Sequence, residues 1–480
     1  MLDHTSTKPL YSQLAALIEI QIERGVFLPG SHIPSVRRLR DQYGVSLSTV
    51  VEACRVLEDK GLVRARPKSG FYVQPARPRR EPDAPAPSGR ARRVDASLAV
   101  EINLGIGNPQ RPTLGAAVQG PELMPINAIN RLLSQVNRLH PTACHSYDAP
   151  PGTIELRRAI SRRGADAGYT VSPDDIVITN GTKEAVYLSI RSVTRPGDTI
   201  AIESPAYYAL LEVLSSLDLR VVEVASHPRD GIDLDRLERV LDRQSISAVA
   251  IMSNFSNPTG SCMTDAAKQR LVELLERHDV PLVEDDVYGD LAFDGNRPMA
   301  VKAFDRHGLV LHCSSYSKSL SPGLRVGWVI PGRYQERLEL MKLVVNQATS
   351  VAPQLAIAAF LESGGFDRHL RRVQRDYRNQ MDQMIDAVER HFPAETRFTT
   401  PRGGHVLWLQ LPHGVDSLEL YEDARDHGVQ FAPGPMFSAS RGFREYLRLN
   451  TGFPHTNATE AQLATLGRLV TERVGGSASV

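Results

Sequence analysis

The sequence predicts a multidomain protein. A small helical unit closed by a β-hairpin is followed by a linker and a large α/β unit, which has a mostly parallel seven-stranded sheet and a smaller α+β part. Three observations predict it. Residues 1–75 carry three stretches of helical period and then two short β-rich runs. Residues 76–95 are rich in Pro and Arg and nearly free of large apolar side chains, so they cannot bury a core. Beyond them, Val- and Ile-rich runs alternate with helix-length segments, the pattern of strands covered on both faces of a parallel sheet.

Composition narrows the function classes. The 480 residues are 41% hydrophobic and 23% charged, which is ordinary for a globular chain. No apolar run is long enough to span a bilayer, and Met1-Leu2-Asp3-His4 does not begin a secretory signal. Cys54, Cys144, Cys262 and Cys313 lack the spacing of a metal centre or a disulfide framework. No metal is expected, and a reducing cytoplasm fits. The net charge of +1 hides an asymmetry: residues 1–95 hold 16 Lys and Arg against 10 Asp and Glu, the remainder 40 against 45. The basic front permits an anionic partner.

In the front unit, residues 11–24 place Leu14, Leu17, Ile18 and Ile22 on one helical face, and Leu28-Pro29-Gly30 breaks the helix. Ser35 caps a second helix running to Tyr43, where Gly44 stops it. Ser46 caps a third with Val50, Ala53, Val56 and Leu57 inward, ended by Gly61. Residues 62–66 and 71–73 read as strands around Pro67-Lys68-Ser69-Gly70. This is a winged helix-turn-helix pattern, in which the third helix enters the major groove of DNA. Ser46, Ser48 and Thr49 bring hydroxyls and backbone N–H groups to that helix start, which suits phosphate. Arg37 and Arg38 begin the preceding helix. Arg64, Arg66 and Lys68 decorate the hairpin, and Ser69 and Gly70 sit at its tip, where glycine permits a positive-φ turn.

Pieces such as Leu28-Pro29-Gly30, Ile33-Pro34-Ser35-Val36-Arg37, Gly44-Val45-Ser46, Leu57-Glu58-Asp59-Lys60-Gly61-Leu62-Val63 and Ser69-Gly70 resemble the GntR-type winged helix along nearly the whole unit. The resemblance implies double-stranded DNA as partner. Many members carry arginines early in the third helix; this chain has Leu47 and Val51 there. Bidentate arginine–guanine contacts are thereby removed, and the operator is not carried over. Readout then rests on Arg37, Ser48, Thr49 and the wing. A winged-helix protein-interaction module is the alternative.

In the large unit, strands are expected at residues 175–179, 199–203, 220–224, 248–252, 282–285, 310–313 and 326–330, with a short strand at 404–411 in the smaller part. Chemistry gathers after several of them. Ser314-Ser315-Tyr316-Ser317-Lys318 places one lysine among hydroxyls, which suits a Schiff base, and Arg325 offers a forked phosphate contact. Leu282-Val283-Glu284-Asp285-Asp286-Val287-Tyr288 puts an acid at a buried strand end with a tyrosine three residues on. Asn257 follows another strand as a hydrogen-bonding group. Asn180-Gly181-Thr182-Lys183 opens a helix whose N–H groups suit phosphate, and Glu203-Ser204-Pro205-Ala206-Tyr207 ends a strand with an aromatic ring.

Together these residues resemble the class I/II aminotransferases of the fold-type-I pyridoxal phosphate superfamily over residues 102–474. The resemblance implies pyridoxal 5'-phosphate as cofactor. Lys318 would bond it covalently, Asp285 would pair with its pyridine nitrogen, and Asn257 and Tyr288 would hold the ring oxygen. Tyr207 would stack on the ring. Thr182 and Lys183 (through backbone N–H), Ser315, Ser317 and Arg325 would take the phosphate. Asp286 rivals Asp285, but the Asp-x-x-Tyr spacing favours Asp285. Tyr147 looks like the tyrosine that reaches the neighbouring subunit's phosphate, and Arg448 like the clamp for a substrate carboxylate, with a strand-end salt bridge as its alternative.

A GntR-type winged helix at residues 1–75, a linker at 76–98 and an aminotransferase-like domain at 99–480 is the arrangement of MocR-type transcription regulators. Within the last, the large part is placed at about 145–345 and the small part at about 99–144 and 350–475. The resemblance implies a homodimer that binds an operator and senses pyridoxal phosphate or a small amino compound, in the bacterial cytoplasm and on the nucleoid when DNA-bound, without a membrane. A metabolic aminotransferase and a cofactor-free regulator are the alternatives; Lys318, Asp285 and Arg325 argue against the latter.

Overall fold

The structure, a computed structural model, describes residues 9–28, 30–59, 62–66, 69–73, 81–85, 87–105 and 113–477. The chain forms two compact units, Met1–Arg80 and Glu81–Val480.

The first unit contains helices α1 (Leu10–Glu23), α2 (Val36–Tyr43) and α3 (Leu47–Asp59) and an antiparallel pair, β1 (Val63–Arg66) and β2 (Gly70–Val73). The expected caps hold the turns. Ser35 Oγ accepts the Arg38 N–H at 3.3 Å, Gly44 takes the left-handed conformation after α2, and Ser46 Oγ accepts the Thr49 N–H at 3.1 Å. Leu14, Ile18, Leu39, Val50, Ala53, Leu57, Val63 and Val73 form one buried core. The helical and pleated apolar faces read from the sequence therefore meet in a single cluster. Gly61 and Lys68 lie outside the described residues.

The second unit is built on a nine-stranded sheet among the described residues. Its strands are β3 (Arg92–Arg93), β4 (Val177–Thr179), β5 (Thr199–Ser204), β6 (Arg220–His227), β7 (Gly231–Ile232), β8 (Ala248–Ile251), β9 (Leu282–Asp285), β10 (Val310–Ser315) and β11 (Gly327–Ile330). The order is β3-β6-β5-β8-β9-β10-β11-β4, with β7 beside β6. Pairs from β6 across to β10 are parallel; β11 runs antiparallel to both its neighbours. All seven expected strands are present. The two additions, β3 and β7, have two residues each and carry no readable period.

Two boundaries differ from the sequence expectation. The linker placed at 76–98 is docked from Glu81 onward. Arg92 and Arg93 pair with Val221 and Arg220 of β6, Asp83 accepts from Arg397 at 2.6 Å and Gln410 at 3.1 Å, and Gln244 donates to the Gly89 carbonyl at 3.0 Å. This segment docks through backbone pairing and charges, which the absence of large apolar residues does not signal. The second difference lies in the small part. Helices Ile126–Leu139 and Val351–Glu362 pack into the core of the large part, through Ile129, Ile357 and Phe360 against Leu156 and Ile160. The small part is instead built from helix Ser97–Gly105, residues 113–118 and the chain from about Met381, around an antiparallel sheet. That sheet contains β12 (Arg397–Phe398), β13 (Val406–Gln410), β14 (Ala432–Pro433) and β15 (Tyr446–Asn450). Helix Gly365–His391 joins the two cores, with Phe366 to Tyr377 in one and Met381 to Val388 in the other. One continuous amphipathic helix hides such a boundary from a sequence reading.

Candidate functional site

A cavity of about 250 Å³ opens at the carboxyl ends of β5, β8, β9 and β10, where open α/β sheets bind ligands. Thr182, Lys183, Tyr207, Asp285, Ser315, Ser317, Lys318 and Arg325, all singled out from sequence, line it. Asp285 ends β9. Its carboxylate accepts the Val287 N–H at 3.2 Å and forms no ion pair among the described residues. Burial, reinforced by the neighbouring Asp286 charge, pushes it up to about 7. Lys318 follows β10, and its amine donates to the Ala117 carbonyl at 2.6 Å. Burial brings it down to about 8, with the Arg448 and Arg325 cations pushing the same way and Asp285 opposing. Asp286 is engaged elsewhere, accepting from Arg297 at 2.6 Å and Asn254 at 2.8 Å. Of the two adjacent acids, Asp285 is thus the one that meets the cavity.

At one end of the cavity the side chains suit an anion. The Thr182 hydroxyl donates to Ser315 Oγ at 2.7 Å, and Ser315 Oγ accepts the Ser317 N–H at 3.3 Å. Helix Thr182–Val193 starts there. The Arg325 guanidinium donates to the Asn180 carbonyl at 2.8 Å and lies over Gly181. Gly181 has φ +82°, and a Cβ there would meet the guanidinium at 2.5 Å, so only glycine admits this close approach. The Lys183 amine turns to Glu212 instead, leaving its backbone N–H at the helix start.

Arg448 on β15 is wholly buried and acts electrostatically on Lys318, but it is not among the residues that line the cavity. Its guanidinium donates to Asn257 Oδ1 at 3.2 Å and to the Gly115 carbonyl, and stands over the Phe437 ring at 5.3 Å. It makes no salt bridge among the described residues, which removes the strand-end alternative. Tyr288 is buried beside Asn257, its hydroxyl without a well-formed hydrogen bond. Tyr147 is 84% exposed and is not part of its own chain's cavity.

One group escaped the sequence reading. Glu203, at the end of β5, lines the cavity, accepts the Met252 N–H at 2.7 Å, and is pushed by burial up to about 8. A charged residue inside the apolar run Ala201-Ile202-Glu203 was the available signal. His405 is buried with its ring 5.2 Å from both Tyr288 and Tyr377, and burial brings it down to about 3, so it is neutral. It is not among the residues that line the cavity.

Pyridoxal phosphate needs an anion cradle, a carboxylate for its ring nitrogen, and an amine that deprotonates near neutral pH. The unpaired buried Asp285, the softened Lys318 and the Thr182–Ser315–Arg325 cradle fit that group.

In the first unit, Arg37 and Arg38 are exposed on α2, and Ser46 and Ser48 are exposed at the start of α3. Ser46 Oγ lies 2.8 Å from both the Ser48 and Thr49 hydroxyls, and Thr49 is half-buried. Arg64 is exposed on β1, and Ser69 Oγ lies 2.7 Å from the Tyr72 hydroxyl. Gly70 has φ +99°, the positive-φ conformation expected at the wing. Arg66 contributes its backbone to β1; Lys68 lies outside the described residues.

Residues 100–464 match the family "Aminotransferase class I and II" and residues 10–73 match "Bacterial regulatory proteins, gntR family". The chain belongs to the class I and II aminotransferase family and, within it, to the MocR-type regulators that carry a GntR-type winged helix in front. It is 38% identical to the HTH-type transcriptional regulator YdcR of Escherichia coli, over 97% of this chain and 99% of that protein. It is 35% identical to YjiR of the same organism, over 96% and 98%. The crystal structure of LysN, an α-aminoadipate aminotransferase of Thermus thermophilus, superimposes with a TM-score of 0.73 at 28% identity, covering 80% of this chain and 96% of that one. The cofactor of this protein is pyridoxal 5'-phosphate, and its first unit is a DNA-binding domain.

Proposed function

We propose that the protein is a ligand-controlled regulator in which an amino acid, or a related amino compound, enters the pyridoxal phosphate pocket and alters operator binding. One observation carries this reading: the two groups that would receive an amino acid are both held by one short strap. Arg448 donates to the Gly115 carbonyl and Lys318 to the Ala117 carbonyl. The strap is tied to the end of β15, where Asn450 binds the Leu114 carbonyl at 2.8 Å and the Val118 carbonyl at 3.0 Å. A ligand carboxylate at Arg448 replaces a neutral carbonyl with a charged acceptor and so displaces Gly115. The strap lies directly downstream of the segment that follows the DNA-binding unit. Differential binding of the ligand to the strapped and released states is what an allosteric shift requires.

The residue roles are part of the proposal. Lys318 bonds the cofactor, Asp285 holds its ring nitrogen, Asn257 and Tyr288 hold its ring oxygen, and Tyr207 covers the ring. Thr182, Lys183 (by backbone), Ser315, Ser317 and Arg325 hold the phosphate, and Arg448 with Asn257 receives a ligand carboxylate. The bound cofactor supplies an electrophilic carbon for an amine and an electron-accepting ring. The exposed Tyr147 is suited to a neighbouring subunit's phosphate. Leu340, Leu343 and Val344, exposed on helix Gln335–Asn346, give a homodimer an apolar face. In the front unit Arg37, Arg38, Ser46, Ser48, Thr49, Arg64, Arg66, Lys68, Ser69 and Gly70 contact a DNA operator, which places the protein's work on the cytoplasmic nucleoid. Lys318 and Asp285 in one cavity, with the buried Arg448 cation acting on Lys318, also favour a second reading, an aminotransferase acting on amino acids.

The test is a titration on duplex DNA from upstream of the coding region, with and without pyridoxal phosphate and each of the common amino acids. Selective binding that shifts with cofactor or amino acid is the expected result. Binding indifferent to both, together with turnover of an amino acid and a 2-oxo acid, would establish the enzyme reading instead.

A further inference from the structure

The exposed face of α3 is a stripe of Leu47, Ser48, Val51, Glu52 and Arg55. Leu47 is 49% exposed and Val51 41%, although the other apolar residues of this helix are buried or half-buried in the core. Two branched aliphatics one turn apart thus present apolar surface to solvent, and neither belongs to the unit's buried core. Around them the chemistry is that of a polyanion site: Arg37 and Arg38 are exposed on the preceding helix, and Ser46 and Ser48 bring hydroxyls to the start of α3. Glu52 and Arg55 are 3.6 Å apart on the same stripe. An apolar pair framed by cations and hydroxyls matches a surface that is charged at its edges and apolar at defined points. The major groove has that character, because thymine alone places a methyl group there.

We propose that Leu47 and Val51 are specificity-determining residues that pack on thymine methyl groups, so that each operator half-site presents thymines to the first two turns of α3. The inference rests on the DNA-binding reading of the first unit and goes beyond it by naming what the helix selects. Residues four apart on a helix are separated by about 6 Å along its axis. Bases are spaced by about 3.4 Å along a strand. The two side chains therefore address methyls about two base steps apart. Polar hydroxyl contacts from Ser48 leave the selection to shape and methyl packing at these positions.

The experiment uses the full chain with its cofactor. Sites are selected from a randomised duplex pool, and each thymine of the selected half-site is then replaced in turn by deoxyuridine, which removes only the methyl. Affinity is read by fluorescence anisotropy at one salt concentration for wild type, Leu47→Ala and Val51→Ala. The wild type is expected to lose about three- to fivefold affinity at one or two positions, the range for removing one buried methyl. Each alanine variant is expected to become insensitive at its own position, while its binding to unselected DNA stays unchanged and shows that the unit is folded. A wild type indifferent to every deoxyuridine, variants that lose as much as the wild type at every position, or a selected half-site without thymine would overturn the inference while leaving the DNA-binding reading intact. Enrichment of no sequence would overturn both, and a partner captured through Leu47 and Val51 in place of DNA would do the same.

Discussion

The winged helix and the pyridoxal phosphate pocket solve opposite electrostatic problems. On the winged helix Arg37, Arg38, Ser46 and Ser48 are exposed, so the arginine charges stay solvated until a partner arrives. In and beside the pocket, Asp285, Lys318, Glu203 and Arg448 are withdrawn from water, and burial is the largest cause of every shift among them. The exposed surface therefore binds by summing many small, salt-sensitive contacts. The pocket concentrates its free energy in a few groups, each of which dominates when removed.

The largest test of that contrast is Lys318→Ala. The purified variant is expected to lack the long-wavelength absorption of the covalently held cofactor while retaining its far-ultraviolet circular dichroism and its affinity for unselected DNA. Retention of the absorption band would remove Lys318 from its proposed role. Asp285→Asn comes next. It exchanges a charge-assisted hydrogen bond for a neutral one, a difference of about 1–1.5 kcal/mol. Cofactor binding should weaken about 5- to 13-fold, as measured by equilibrium dialysis. Equal binding in wild type and variant would show that the buried carboxylate does not face the ring nitrogen.

A pH series sharpens the same side. The Lys318 amine is brought down to about 8, so its neutral, nucleophilic form dominates above that pH and falls about tenfold per unit below it. In cofactor-free protein, the rate of cofactor capture by stopped-flow absorbance is expected to rise with pH and level off near 8. A plateau only above 10, the ordinary lysine range, would mean that the pocket does not desolvate the amine. By contrast, Arg37→Ala in the winged helix is expected to act gently: it lowers affinity for all DNA sequences and reduces the slope of log affinity against log salt by about 1. A loss confined to one base pair would instead keep Arg37 in the base-reading role expected from the sequence and take it off the phosphates.

The same contrast explains what the sequence made legible. Residues at strand ends declare themselves, because a buried Val- and Ile-rich run followed by Asp285, Lys318 or Asn257 joins periodicity to chemistry. All seven long strands and the cradle at Thr182, Ser315 and Arg325 were readable in that way. What was not readable acts through backbone or through distant pairing. Gly115 and Ala117 engage Arg448 and Lys318 by carbonyl groups that every residue possesses. Asp83 docks the supposed linker on Arg397 and Gln410, more than 300 positions away. In the front unit the caps at Ser35 and Ser46 were legible because capping is local.

The smallest effect is also the one that tests whether the two regions can be treated apart. Ser46 Oγ accepts the Thr49 N–H and gathers the Ser48 and Thr49 hydroxyls, so Ser46→Ala removes a helix cap and the order of a hydroxyl cluster together. Loss of such a cap costs about 0.5–2 kcal/mol. The first unit has its own core around Leu14, Val50 and Leu57, so that cost should fall on its unfolding alone. Thermal unfolding followed by helix dichroism should show an earlier transition in the variant, while the melting of the cofactor absorption stays in place. If both transitions moved together, the winged helix and the pocket would share one cooperative unit, and ligand and operator would be coupled through stability rather than through displacement of the strap.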